Sequence, residues 1–332
     1  MRALITGGDG FVGQHLLREL GESSAEVVAS VQRLPPRPSV LERVEVAAFT
    51  WKQADVRDAD TLYRLIGSER PDVIFHLAGF ASGALAREHP ADALAVNAGG
   101  TLNLFTAVVA VREESPEYSP KILVMGSGDA YGPGVGEAFT EETPLRPTSP
   151  YGLSKACQEL VAHSFRRSHG LDTVVARSFN LIGSGQAATF AVPDFCRQAA
   201  EIAVCGAEPV LDVGNLDAER DFTDVRDAVC ALRAIVNLQS SRPSYNVCSG
   251  RSIAIERLLE WVLDEAGVEP EIRVVEERLR QGEGPRVVGD PGLIKRDTGW
   301  EARGDIEAGV REVYRWTEAV ARRETGARTE GS

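Results

Sequence analysis

Ala3-Leu4-Ile5-Thr6-Gly7-Gly8-Asp9-Gly10-Phe11-Val12-Gly13 stands at the start of the chain and is followed by Gln14-His15-Leu16-Leu17-Arg18-Glu19-Leu20. Residues 3–6 read as a short buried strand. The apolar positions 12, 16, 17 and 20 recur with helical period, so the segment after the glycines reads as an amphipathic helix. Gly7, Gly10 and Gly13 therefore lie between a strand and a helix. In such a loop the first glycine permits the tight turn, the second lets a pyrophosphate approach the backbone, and the third lets helix and strand pack closely. The free N–H groups at the helix start then face the phosphates. With 32 glycines in 332 residues, this spacing arises by chance about 0.3 times. Its placement directly after the first strand is what makes it a dinucleotide site, with contacts expected from Gly7, Gly10, Phe11, Val12 and Gly13.

Working outward, Glu26 to Val31 reads as the second strand. A cofactor with a free ribose 2′-hydroxyl meets an Asp or Glu at the end of this strand. Here Gln32-Arg33 follows, and Arg33 suits a 2′-phosphate, which favours NADP(H) and leaves NAD(H) open. Val46 to Trp51 reads as a third strand leading to Asp55-Val56, where a carboxylate can accept from the adenine amino group. Asp58 reads equally as the N-cap of a helix over Thr61 to Ile66. Asp72 to Leu77 is the fourth strand, and Leu77, Ala78 and Gly79 let backbone lie against the cofactor. His76 reads as a packed strand-end histidine. Pro90 to Val111 reads as a long helix whose polar Asn97, among small neighbours, points to contact with the adjacent loops. Lys121 to Met125 is the fifth strand and delivers Ser127 to its carboxyl end, where ligands of parallel sheets bind. Alternation of strand and helix over this half predicts a doubly wound parallel sheet of Rossmann type, an α/β fold.

Tyr151-Gly152-Leu153-Ser154-Lys155 follows Pro147 and Pro150. Positions i and i+4 share one helix face, so the phenol and the ammonium should point the same way. A cation near a phenol lowers its pKa from about 10 and makes it a proton donor or acceptor near neutrality. Ser127 and Tyr151 can together hold one carbonyl oxygen.

Composition bounds the function. The net charge of −13 argues against a nucleic-acid surface. Five scattered cysteines without a Cys-x-x-Cys pair read as reduced structural thiols, with no metal site and a cytoplasmic setting expected. Met1-Arg2 runs straight into the first strand without a signal segment, and no apolar run is read as reaching the length of a membrane span.

The glycine loop, His76-Leu77-Ala78, Asn97, Ser127 and Tyr151-x-x-x-Lys155, in this order, resemble the extended short-chain dehydrogenases/reductases, nucleotide-sugar branch. The resemblance covers essentially the whole chain. It implies that Ser127, Tyr151 and Lys155 form the catalytic set, with Tyr151 and Lys155 also at the cofactor, and that the C-terminal part binds a nucleoside-diphosphate sugar. Arg177-Ser178-Phe179-Asn180, Pro193, Arg220-Asp221-Phe222, Arg280-Gln281-Gly282-Glu283 and Gly289-Asp290 narrow it. This series is similar to the GDP-6-deoxy-D-mannose reductases and their relatives, the GDP-mannose 4,6-dehydratases. By that resemblance Asn180, Arg220 and Arg280 meet the diphosphate, whose oxygens suit planar guanidinium forks. The family's Arg-Pro-x-Asp run stands here as Arg280-Gln281-Gly282-Glu283. Ordinary surface ion pairing of Arg220 with Glu219 or Asp221 is the plain alternative.

Dehydratases of this branch carry Thr, a polar or acidic residue, then Glu where this chain has Ser127, Gly128 and Asp129. Water elimination needs an acid/base pair and ketone reduction does not, so Gly128 and the short Asp129 favour a 4-keto-6-deoxyhexose reductase. A 4-epimerase or 4,6-dehydratase with tightly bound NAD, and a non-catalytic NAD(P)-binding sensor, are the competing readings. The expected domains are 1–178 for the dinucleotide and 179–320 mainly for substrate, with segments returning to the first, then a flexible tail over 321–332. A homodimer is implied through the helix of Tyr151, with apolar positions 157, 160, 161 and 165, and the long helix before strand five. The same positions fit packing within one chain equally well.

Overall fold

A computed structural model describes residues 1–23, 25–134, 136–279 and 284–330. The first half alternates as expected: β1 (Arg2–Thr6), α1 (Phe11–Gly21), β2 (Glu26–Val31), α2 (Arg43–Ala48), β3 (Thr50–Gln53), α3 (Ala59–Glu69) and β4 (Val73–His76). Then come α4 (Gly83–Glu88), α5 (Pro90–Leu94), a π-turn (Ala95–Gly99), α6 (Gly100–Glu114), β5 (Lys121–Ser127), a 3₁₀ turn (Gly128–Tyr131), α7 (Pro150–His169) and β6 (Asp172–Ser178). The second half runs β7 (Asn180–Ile182), α8 (Ala191–Cys205), β8 (Val210–Val213), β9 (Glu219–Asp224), α9 (Val225–Val236), β10 (Ser244–Val247) and β11 (Ser252–Ala254). It ends with α10 (Ile255–Ala266), β12 (Glu271–Val274), β13 (Arg286–Val287), α11 (Gly292–Thr298) and α12 (Ile306–Glu330).

Seven strands form one parallel sheet in the order β3-β2-β1-β4-β5-β6-β10. Alternate residues of each strand feed opposite faces. Ala3 and Ile5 pack with Leu16, Leu17 and Leu20 of α1 and with Val229 and Leu232 of α9. Leu4 faces the other way, toward Leu62 and Ile66 of α3 and Leu104 and Phe105 of α6. Both faces are thus covered, as a parallel sheet requires. The strand order reverses between β1 and β4, which opens a crevice at their carboxyl ends. A separate core joins α8, α10 and α12 over Leu211, Val213 and Phe222.

Three sequence expectations are corrected. Val46 to Trp51 is not one strand: residues 43–48 form α2, started by a reciprocal capping box between Glu42 and Glu45, and β3 begins at Thr50. The last helix, α12, runs through to Glu330, across most of the expected tail. Pro90–Glu114 is a continuous 25-residue helical run that is long and apolar enough to cross a membrane. Here its apolar character serves packing, because α6 buries Leu104, Phe105 and Val108 in the core shared with the sheet and α3.

Candidate active site

The loop after β1 is fixed by sterics. Gly7 has φ +74°, and a Cβ there would lie 2.8 Å from Ala78 Cα. A Cβ at Gly13 would lie 2.3 Å from the Gly7 carbonyl. Only glycine fits either position. Gly10 starts α1 without any side-chain cap, so the first-turn N–H groups are left for a ligand at a helix N-terminus. This bare turn opens into a cleft of about 950 Å³ that runs from the glycine loop past Ser127, Tyr151 and Lys155 to Asn180, Pro193 and Arg220. The donors and the space fit a dinucleotide with a second phosphorylated ligand beyond it.

Ser127 ends β5 and caps the 3₁₀ turn, its Oγ accepting from Asp129 N at 3.1 Å. Tyr151 opens α7, which Ser149 caps through Gly152 N at 3.0 Å. Burial together with the Asp129 carboxylate pushes the Tyr151 phenol well above its ordinary pKa, and the neighbouring Ser127 hydroxyl offsets little of this. This reverses the expectation of a phenol lowered by Lys155. The Lys155 ammonium instead turns to Met125 O at 2.8 Å and Gln158 Oε1 at 2.9 Å. Burial alone drops its pKa from the ordinary 10.5 to about 7. Tyr151 therefore holds its proton and stands as a donor.

Behind Lys155 lies a chain of buried groups that sequence reasoning missed. Gln158 Nε2 donates to Thr101 Oγ1 at 2.9 Å, and Thr101 donates its own proton to Asn97 O at 2.7 Å. His76 Nε2, 3.0 Å from Thr101 Oγ1, must then be the donor in that pair. Its Nδ1 accepts from Thr6 Oγ1 at 2.9 Å, and Thr6 Oγ1 accepts from Ala78 N at 3.2 Å. Burial lowers the His76 pKa to about 3 and keeps the ring neutral. It is a packed strand-end histidine that holds the Ala78 backbone. The partial sequence signal was the polar residues 97, 101, 154 and 158 on two helices, the first of them otherwise apolar.

Asn97 sits in the π-turn and does not line the cleft. Its amide accepts from Phe80 N at 2.8 Å, donates to Phe80 O at 3.1 Å and donates to Ser154 Oγ. These bonds shape the loop beside Gly79. Asp55 accepts from Gln32 Nε2 at 3.0 Å and from Arg57, which holds its carboxyl well below the usual range. Val56 is buried against Gly100, and Arg33 is exposed beyond the end of β2. These residues, with Ala78, fall outside the cleft lining.

In the substrate half, Asp221 is fully buried and accepts from Ser249 N, Ser249 Oγ and Gly250 N at 2.6–2.9 Å. Those bonds pin β9, whose own Arg220 reaches the cleft and donates to Glu219 O at 2.8 Å. Asn180 Nδ2 donates to Asp221 O at 3.1 Å. Arg280 lies outside the described residues. Arg278, two positions earlier and not singled out in the sequence, lines the cleft and binds Asp194 Oδ2 at 2.5 Å and Asp212 O at 2.9 Å. Gly128 is buried, and a Cβ on it would meet three atoms of the Phe179 ring at 3.1–3.2 Å.

The strand order, the glycine turn and the Ser127, Tyr151 and Lys155 cluster together define a Rossmann-type NAD(P)-dependent oxidoreductase. The family profile described as GDP-mannose 4,6 dehydratase matches residues 4–313, and the chain belongs to that family, within the extended short-chain dehydrogenases/reductases. It is 33% identical to the GDP-6-deoxy-D-mannose reductase of Pseudomonas aeruginosa over 326 residues, 97% of this chain and 99% of that protein. Among solved structures, that of RMD from Pseudomonas aeruginosa complexed with NADPH superposes with a TM-score of 0.80 at 31% identity, covering 96% of this chain and 99% of that one. The UDP-glucose 4-epimerase of Thermotoga maritima with UDP-glucose superposes with a TM-score of 0.84 at 25% identity, covering 96% and 99%.

Proposed function

We propose that the protein reduces the C4 ketone of a nucleotide-linked 4-keto-6-deoxyhexose, with GDP-4-keto-6-deoxy-D-mannose as substrate and GDP-D-rhamnose, or its C4 epimer GDP-6-deoxy-D-talose, as product. The observation that carries this reading is the pairing of a proton-holding Tyr151 with a Gly128 that has no side chain to act in elimination. Phe179 packs against Gly128, so nothing else occupies that place. The similarity to the Pseudomonas reductase supports the GDP-linked substrate.

The glycine turn at Gly7, Gly10 and Gly13 would hold a nicotinamide dinucleotide, which when bound would supply hydride. Ser127 and Tyr151 hold the C4 oxygen, and Tyr151 delivers its proton to that oxygen as negative charge develops there. Lys155, whose ammonium is held by Met125 O and Gln158, binds the nicotinamide ribose in this reading. Asn180, Arg220 and Arg280 hold the diphosphate, and Pro193 borders the same end of the cleft. Arg33, exposed at the end of β2, supports NADP(H), with NAD(H) as the alternative. Residues 1–178 act as the dinucleotide unit and 179–320 as the substrate unit.

The protein works as a cytoplasmic homodimer in this reading, and its five free cysteines fit a reducing compartment. Leu94 and Leu102 on one helical run and Leu153 and Leu160 on α7 are 43–60% exposed and supply the apolar face. Val161 and Phe165, weighed for the same face in the sequence, pack inward.

Incubation with GDP-4-keto-6-deoxy-D-mannose and NADPH, with product NMR, tests the reading. Stoichiometric NADPH consumption with a C4 alcohol supports it. Turnover of GDP-mannose without net NADPH loss assigns a dehydratase or epimerase instead, and cofactor binding without turnover of either sugar assigns a sensor.

A further inference from the structure

A second concavity of about 640 Å³ lies at the β10 edge of the large sheet and shares no lining residue with the cleft. Three elements converge on it: the end of α7, the segment entering β10, and α11. They bring Arg166, Arg167, Arg242 and Arg296 around one space, with His163 and Ser244 also in its lining. In a chain of net charge −13, four guanidinium groups about one hollow are a local reversal of the global field.

The partners of these arginines separate into two kinds. Arg166 is built in, donating to Ser241 O at 2.9 Å and to Thr173 O at 2.5 Å. Arg242 makes one long contact with Asp297 Oδ2 at 3.4 Å and is otherwise in solvent. Arg167 and Arg296 are exposed and make no hydrogen bond or ion pair among the described residues. The exposed Glu142 also lines the hollow, and Asp172 lies 3.8 Å from Arg166, so the arginines outnumber the carboxylates that face them. Glu141 is turned inward, its Oε1 accepting from Asn246 N at 2.8 Å. Arg177, in the same lining, is already neutralised by Glu159 at 2.9 Å. The wall beneath is ordered: Ser244 Oγ donates to Glu159 Oε1 at 2.9 Å and so accepts from His163 Nε2 at 3.0 Å.

We propose that this pocket binds a phosphate-bearing small molecule at a site distinct from the catalytic cleft. The volume lies within the range of small-molecule pockets. Guanidinium forks from separate elements match the several oxygens and multiple charge of a phosphate or diphosphate group better than a single carboxylate. The site lies on the catalytic helix itself. Arg167 is the last of Tyr151, Lys155, Glu159, His163 and Arg167, spaced four residues apart along α7, which places it roughly 24 Å from Tyr151 along the helix axis.

Inorganic pyrophosphate is the probe, and hydrogen–deuterium exchange read by mass spectrometry is the measurement, on the full chain. Millimolar pyrophosphate should slow exchange across residues 159–170 and 240–248 of the wild type by at least about threefold. It should leave those segments unchanged in the R167A/R296A variant, whose two substitutions fall on exposed side chains. Protection over residues 180 and 219–224, at the diphosphate end of the cleft, should be the same in both proteins and reports the other site independently. Unchanged exchange over 159–170 and 240–248 in the wild type would overturn the proposal, as would equal slowing there in wild type and R167A/R296A.

Discussion

Asn97 Nδ2 donates to Ser154 Oγ at 2.8 Å, joining the π-turn of one helix to the first turns of the helix that carries Tyr151. Ser154 Oγ in turn donates a hydrogen bond to the Tyr151 carbonyl at 2.7 Å, so the position of the acid depends on an amide that does not line the cleft. The widened turn at residues 95–99 is what brings Asn97 into reach, in keeping with the concentration of such turns at functional sites. Asn97→Ala should cost about 1–3 kcal/mol, since Phe80 N–H and C=O lose their partner. Urea unfolding measures that, and kcat should fall with KM for the sugar nearly unchanged.

Tyr151→Phe keeps the ring and removes only the proton. Turnover should drop by about 10²–10⁴-fold, while titration of the variant with NADPH gives wild-type affinity. Near-normal turnover would remove Tyr151 from the role of donor.

Lys155 provides a pH signature. Its folded pKa of about 7 lies below the ordinary 10.5, so above neutrality the unfolded chain binds more protons than the folded one. Stability contributed by this group therefore rises as pH increases through the folded pKa. Between about pH 6 and about pH 8 the gain should be about 1.4 kcal/mol. Lys155→Met should flatten that part of the pH–stability curve of the cofactor-free protein, which chemical denaturation at a series of pH values will read.

Gly128→Ala tests the close approach of Phe179. The ring has little freedom to move away, because a Cβ on Gly289 would already lie 2.6 Å from another of its atoms. Overpacking of this kind should cost about 1–3 kcal/mol. If the substitution is neutral in thermal and urea unfolding, the bare position at 128 does not depend on Phe179.

Arg177 and Glu159 form a buried pair, with Arg177 Nη1 also donating to Tyr131 Oη at 2.6 Å. Arg177→Met should destabilise by about 3–5 kcal/mol, because it strands the Glu159 carboxylate. Arg177→Met combined with Glu159→Met should recover much of that loss, and a double-mutant cycle measures the coupling.

What could be read from the sequence follows from range. The glycine turn, the strands and the Asp58 cap are local patterns, and they stand where the spacing puts them. Residues 46–51 misled because apolar content alone does not separate a short strand from a helix, and the signal that decides, Glu42 with Glu45, precedes the run. The i, i+4 rule gave the shared face of Tyr151 and Lys155 but not the bend of the lysine toward Met125 and Gln158. That bend depends on a carbonyl 30 residues away in sequence. The chain from Gln158 through Thr101 and His76 to Thr6 joins four elements, and no window of sequence contains it.

The place of β10 bears on how the chain is made. The large sheet ends on a strand that is synthesised only after residues 179–243, and β6 pairs with it from Val175 to Ser178. Tyr245 and Val247 complete the same core as β1 and α1. During synthesis the nascent sheet must therefore wait with an open edge and an unfilled core, a long-range closure of the kind that slows folding and invites aggregation. A polypeptide cut after Ser178 would carry that defect permanently, so the nucleotide-binding half should not accumulate as a well-folded fragment, whereas co-expression with residues 179–332 should rescue it.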